Sequence, residues 1–183
     1  MKVLSWWLGL MIFSSFSYAQ KSQIPPFYFD VSQKHDVPVA VAFALARTET
    51  DTVMSDGSMI PWPYTINLRG EAFYFNTQQE MTDFGKALLL EGEEKFDVGL
   101  YQVNWFWVGK HEVDSLNALG EPYRNSDVAM GVIKKYKTKD NTWAQAAGRY
   151  HNPNNNHGYA DIYEGKFAKH LKRVNQILLS EEY

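Results

Sequence analysis

Glu49 stands where an apolar run gives out. Val39, Val41, Ala42, Ala44, Leu45 and Ala46 precede it, and the chain turns polar at Arg47-Thr48-Glu49-Thr50-Asp51. Hydrocarbon around a carboxylate removes its water and favours the protonated form. The negative end of a helix dipole pushes the same way. A carboxylic acid kept neutral near pH 7 is what a general acid acting on a glycosidic oxygen requires. The position equally suits an ion pair with Arg47 or a solvated helix end, so spacing alone leaves both uses open.

A second group lies in Asp97-Val98-Gly99-Leu100-Tyr101-Gln102-Val103-Asn104. Glycine at 99 lets backbone approach a ligand closely. Gln102 and Asn104 offer amides from alternate positions, and Trp105 and Trp107 add flat faces that stack on sugar rings or fill a core. A third group is Tyr150-His151-Asn152, with Tyr159 beyond an asparagine-rich loop. A phenol can orient a carboxylate, and amides can fix sugar hydroxyls. His157 has Asp161 four residues on, but one such pair is short of the three protein ligands of a catalytic zinc. No metal and no cofactor is expected. His35, His111 and His170 read as surface or structural residues.

The elements that must carry these groups follow from the pattern. Pro25-Pro26 opens a short helix over Phe27 to Lys34, and Pro38 starts a second that is apolar on nearly every side, which belongs in a core. Tyr64 to Leu68 and Ala72 to Phe75, joined at Arg69-Gly70-Glu71, predict a β-hairpin. Thr77 and Glu80 fit a capping box, so a helix should run to about Glu91 and stop at Gly92. Residues 60–92 thus form a hairpin-plus-helix insertion between helical parts. Trp62, between Pro61 and Pro63, is expected to pack at the cleft wall and fix the entry side of a groove, the alternative being that it only pins the hairpin to the helical body. After a loop through Gly120-Glu121-Pro122, Asn125 or Ser126 can cap a helix to about Tyr136. Another spans Thr142 to Tyr150. A last one, from Tyr159 to about Leu179, aligns Tyr163, Phe167, Leu171, Val174 and Leu178 on one face. The sum is one mostly helical α+β domain over 20–183.

Composition narrows the function. The 183 residues carry a formal charge of −3, which gives no electrostatic case for nucleic acid. There is no cysteine, hence no disulfide framework and no thiol nucleophile. Lys2, the apolar run Val3 to Phe13 and Ser17-Tyr18-Ala19 before Gln20 have the layout of a cleavable secretory signal over 1–19. Its roughly eleven apolar residues fall short of the roughly 20 that span a bilayer. Without Lys2 the charge becomes −4. A soluble, exported chain with no stable membrane insertion is expected, and as a monomer.

Taken in order, these clusters resemble the lytic transglycosylase domain of the SLT, goose-lysozyme-like, kind, closest to the branch associated with conjugative transfer and secretion systems. The resemblance covers roughly Ile24 to Val174. The family's Glu-Ser at the end of a buried helix matches Glu49-Thr50, with threonine replacing serine. Its Gly-Leu-Met-Gln-Ile/Val-Asn matches Gly99-Leu100-Tyr101-Gln102-Val103-Asn104, with Tyr101 replacing methionine. Its Ala-Tyr-Asn-Ala-Gly is matched in part by Gly148-Arg149-Tyr150-His151-Asn152, and the tyrosine of its last motif falls on Tyr159. Pro61-Trp62-Pro63-Tyr64-Thr65-Ile66-Asn67 with the hairpin resembles the insertion of the conjugation-associated branch.

The resemblance implies a lysozyme-like fold and a periplasmic enzyme. It would cleave the β-1,4 bond between N-acetylmuramic acid and N-acetylglucosamine in peptidoglycan, leaving a 1,6-anhydro end, beside a conjugation or secretion apparatus. Glu49 would be the acid and base. Thr50, Gly99, Gln102, Asn104, Tyr150, His151, Asn152 and Tyr159 would bind or shape the glycan site. Two alternatives stand beside it. A hydrolytic muramidase of the same fold would need a second carboxylate, for which Asp51, Asp56 and Asp97 are available. A noncatalytic peptidoglycan-binding scaffold would keep the groove without turnover.

Overall fold

The computed structural model describes residues 23–181. The expected signal at 1–19 lies outside them. Helix α1 (Pro26–His35) begins at a proline as expected, and α2 (Val39–Thr50) follows. All residues from Ala40 to Ala46 are buried, so α2 is the central rod of the molecule. It runs on through Glu49 and ends one residue later, which places that carboxyl in the last turn.

Strands β1 (Asp51–Val53) and β2 (Met59–Pro61) form a small antiparallel pair. Strands β3 (Thr65–Leu68) and β4 (Glu71–Tyr74) make the expected hairpin, with Arg69 and Gly70 at positive φ in its two-residue turn. Helix α3 (Gln78–Leu90) is capped by Thr77, whose side chain accepts from the Glu80 amide. Glu80 reaches back to the amide of Asn76 rather than of Thr77.

The insertion differs from expectation in two ways. Ile60 and Pro61 belong to β2, paired with β1 directly after α2. The hairpin is also not free-standing: β3 pairs with β5 (Phe96–Val98), which pairs with β6 (Val103–Asn104), giving a four-stranded sheet in the order β4-β3-β5-β6. A two-stranded hairpin is marginal alone, and these neighbours together with the buried Ile66 and Met81 stabilise it.

A π-helical turn, Trp105–Gly109, leaves β6 and runs into α4 (Lys110–Glu112) and α5 (Leu116–Gly120). Helix α6 (Pro122–Tyr136) starts four or five residues earlier than the expected cap at Asn125 or Ser126 would place it. Its cap is Glu121, which accepts from the amides of Tyr123 and Arg124 with proline in the first turn. Helix α7 (Trp143–His151) opens with a full capping box between Thr142 and Gln145. A 3₁₀ turn, Asn156–Gly158, leads to α8 (Tyr159–Glu181). Tyr163, Phe167 and Val174 are buried as their spacing indicated. The result is a mostly helical α+β fold around an apolar cluster, with α7 and α8 packed together and α8 laid against α2. Among the described residues no helix is long and apolar enough to cross a membrane.

Candidate active site

Three elements meet at the end of α2. The sheet supplies one wall, α7 another, and α8 closes behind. Between them lies a cleft of about 360 Å³ whose lining includes Glu49, Asp97, Gln102, Asn104, Tyr150 and His151. A hollow of about 540 Å³ continues it along Trp107, Asn152, Pro153 and Asn156. The two share Asn104, Val108, Tyr150 and His151, so they form one groove.

Glu49 is half-buried, with protein packed around its carboxyl. That loss of water, and secondarily the like charge of Asp97, push its pKa from 4.5 up to about 8. Two groups pull the other way: a hydrogen bond from Tyr163 and the nearby cation of Lys166. The Tyr163 hydroxyl donates to Glu49 Oε1 at 2.5 Å. On its other side the Tyr163 ring is stacked against His151, centroids 4.5 Å apart and planes 11° from parallel. Burial, then the nearby cation of Lys166, hold His151 below the usual histidine value.

The segment after β5 forms the floor. Gly99 has φ +81°, and a Cβ there would lie 2.6 Å from Asn125 Nδ2. This is the close approach anticipated for Gly99, but toward Asn125 rather than a ligand. Asn125 is fully buried; its Oδ1 accepts from the Tyr101 amide, and its Nδ2 donates to the carbonyls of Val98 and Leu119. Thr50 is also buried and donates to the carbonyls of Ala46 and Leu100, tying the acid helix to the floor instead of facing the cleft. The Tyr150 hydroxyl donates to the Tyr101 carbonyl at 2.6 Å. Its ring lines the cleft, but its oxygen orients the floor and not Glu49.

Gln102 lines the cleft at φ +47° and returns its amide to the carbonyls of Gly99 and Thr65. Asn104 donates to Asp97 Oδ1 at 2.8 Å and accepts from the Trp107 amide, which caps the π-helical turn. Asn152 lines the outer hollow, its Oδ1 accepting from the Asn156 amide. Tyr159 is the clear departure. It is 53% exposed, its ring rests near His157, and it lines neither part of the groove. One helical turn further on, Tyr163 is the tyrosine whose hydroxyl meets Glu49. A signal for it existed: of the five residues on the apolar face of α8, Tyr163 alone carries a hydroxyl, and a buried hydroxyl needs a partner.

Of the three candidate second carboxylates, only Asp97 lines the cleft. Asp51 is ion-paired with Arg47, both guanidinium contacts at 2.9 Å, and Asp56 accepts from the Ser58 amide in the β1–β2 turn. Trp62 donates its indole N–H to the Phe75 carbonyl at 2.8 Å, sits edge-on to Tyr64, and sends its backbone amide to the Thr50 carbonyl at the end of α2, which fits the pinning role; it does not line the cleft. Among the described residues no three His, Asp or Glu side chains are placed to hold a metal. Asp161 accepts from Asn155.

The arrangement can hold a neutral carboxylic acid in a groove rimmed by amides and aromatic faces, ready to give up a proton near pH 7. Compared with protein-family models, with curated proteins and with solved structures, the chain gives no match, so the reading of this groove rests on its own geometry and on the motifs it carries.

Proposed function

We propose that this chain is a peptidoglycan lytic transglycosylase of the periplasm, opening the wall locally for a conjugation or secretion apparatus. One observation carries the chemistry: Glu49, raised to about 8, sits in a groove with a tyrosine hydroxyl on its carboxyl. As the acid it protonates the oxygen of the β-1,4 bond while the bond from the muramoyl anomeric carbon breaks. As the carboxylate it then takes the proton of the muramoyl 6-hydroxyl, whose oxygen bonds to that carbon. The product is a 1,6-anhydro end, Glu49 is protonated again, and no water is consumed. The order and spacing of the motifs around Glu49, Gln102 and Tyr150 support this substrate. Trp107 and the asparagines of the outer hollow suit the apolar faces and hydroxyls of successive sugars.

A second reading, hydrolysis by the same acid, is favoured by Asp97 in the same cleft. Purified murein incubated with the mature chain separates the outcomes by mass spectrometry. Anhydro-muramoyl ends support the proposal; reducing ends support hydrolysis; intact murein with retained binding supports a scaffold.

A further inference from the structure

Asp97 is not needed by the single-acid chemistry just described, yet the fold gives it a definite place. In the register of the sheet, Asp97 of β5 lies opposite Asn67 of β3 on one side and Asn104 of β6 on the other. Residues opposite one another share a face, so the three form a row of amide, carboxylate and amide across the sheet. All three line the cleft that holds Glu49. Their neighbours Phe96 and Val98 point the other way, into the core, at 1% and 0% exposure. Strand alternation therefore aims Asp97 at the groove and keeps it there.

The partners of Asp97 are also suited to an anion that works. Asn104 donates to Oδ1. Among the described residues no protein group donates to Oδ2, which leaves it available to the groove. A structural carboxylate would more commonly be covered by an arginine or lysine, as Asp51 is by Arg47.

Resting on the glycan-cleaving reading of Glu49, we propose that Asp97 is a second catalytic carboxylate, whose negative charge stabilises the cationic sugar ring that develops as the glycosidic bond breaks. It forms no bond and moves no proton. Burial lifts its pKa to about 6, with Asn104 opposing, while Glu49 stands at about 8. Near pH 7 the pair therefore holds one proton, on Glu49. That splits the roles as the chemistry needs: a neutral donor and an anion in the same cleft. Facing Glu49 are Asp97 from β5, Tyr150 from α7, and Tyr163 and Lys166 from α8. Facing Asp97 are Asn67, Asn104, Glu49 and Tyr150.

The test is the pH profile of murein cleavage by the mature chain, with products identified by mass spectrometry. Wild type should show a bell, rising through about 6 and falling through about 8. Asp97→Asn keeps shape and the acceptor for Asn104. It should lose the acid limb, drop on the order of 10²-fold at pH 7, bind murein within about twofold, and still make anhydro ends. Asn104→Ala keeps the carboxylate but removes its donor, so the acid limb should move to higher pH. Three results would overturn the proposal while leaving the activity standing: Asp97→Asn at wild-type rate, a uniform loss with the bell unchanged, or reducing ends in wild type that vanish in Asp97→Asn. Wild type that leaves murein intact would instead overturn the glycan-cleaving reading, and this proposal with it.

Discussion

Tyr163 reaches across from α8 to donate its hydroxyl hydrogen to Glu49 Oε1 at 2.5 Å, from 114 residues further along the chain. This bond favours the anion of Glu49 against the burial that favours the acid. Tyr163→Phe should therefore raise the Glu49 pKa above about 8 and move the alkaline limb of the pH profile upward. A hydrogen bond to a charged group is worth roughly 1.5–3 kcal/mol, so cleavage at pH 7 should fall about tenfold or more. Tyr159→Phe should leave rate and profile unchanged. If the Tyr159 variant lost as much activity as the Tyr163 variant, the motif order would be the better guide.

Glu49→Gln should reduce murein cleavage by on the order of 10² to 10⁴, because the amide keeps the shape and has no acidic proton. It should also change how stability depends on pH. Folding holds this carboxyl at about 8 against 4.5 in the free state, so the folded chain keeps an extra proton between those values. That contribution is complete below about 4.5 and lost as pH rises through about 8. Wild type should thus lose ground to Glu49→Gln on going from pH 5 to pH 9, by a few kcal/mol, or roughly 5–10 °C in Tm. Parallel melting curves at both pH values would show it. Equal slopes would mean that Glu49 is ionised and solvated.

Gly99→Ala should be severe. The position has φ +81°, and a Cβ would stand 2.6 Å from Nδ2 and 2.9 Å from Cγ of a fully buried Asn125. Backbone strain and displacement of that amide together should cost about 2–4 kcal/mol. The readout is the urea midpoint, with Gly57→Ala as the contrast: it shares a positive φ but has nothing within 4 Å. Similar losses in the two variants would assign the effect to φ alone.

Trp62→Ala should lower the melting temperature while leaving turnover at low temperature near normal. Its indole holds the Phe75 carbonyl and its ring meets Tyr64, both within the sheet module. A loss of murein binding at unchanged melting temperature would instead return Trp62 to the groove wall.

Much of this was legible in the residues, and the failures have physical causes. The all-round apolar face of α2 announced a buried rod, and the switch to polar residues at its end marked Glu49. Turn chemistry at Arg69-Gly70 and the caps at Thr77 and Thr142 are local, so they could be read locally. Strand β5 is three residues long and held by pairing with β3, nearly thirty positions earlier. Such pairing leaves no periodic trace, so the row that contains Asp97 went unseen. Asn125 has the side chain of a helix cap, but Glu121 with Pro122 behind it starts the helix sooner and leaves that amide for the floor. Tyr159 and Tyr163 both follow the asparagine loop; the turn between Asn155 and Gly158 decides which one comes round to Glu49.

The floor of the groove has its own consequence. Carbonyls of Val98, Gly99, Leu100 and Tyr101 are taken by side chains from α6, β6's approach, α2 and α7 in turn: Asn125, Gln102, Thr50 and Tyr150. The amides of Gly99 and Tyr101 are bonded just as firmly, to Thr65 and Asn125. To free any one of them the helices and the sheet must part together, so deuterium should enter these amides only at the pace of whole-molecule unfolding. A surface so fastened cannot mould itself to an arriving chain. If the groove takes glycan as proposed, tolerance for different sugars and stems would then reside at the periphery, in Trp107 and Asn152 to Asn154, ahead of the turn that sets Tyr163 on the acid.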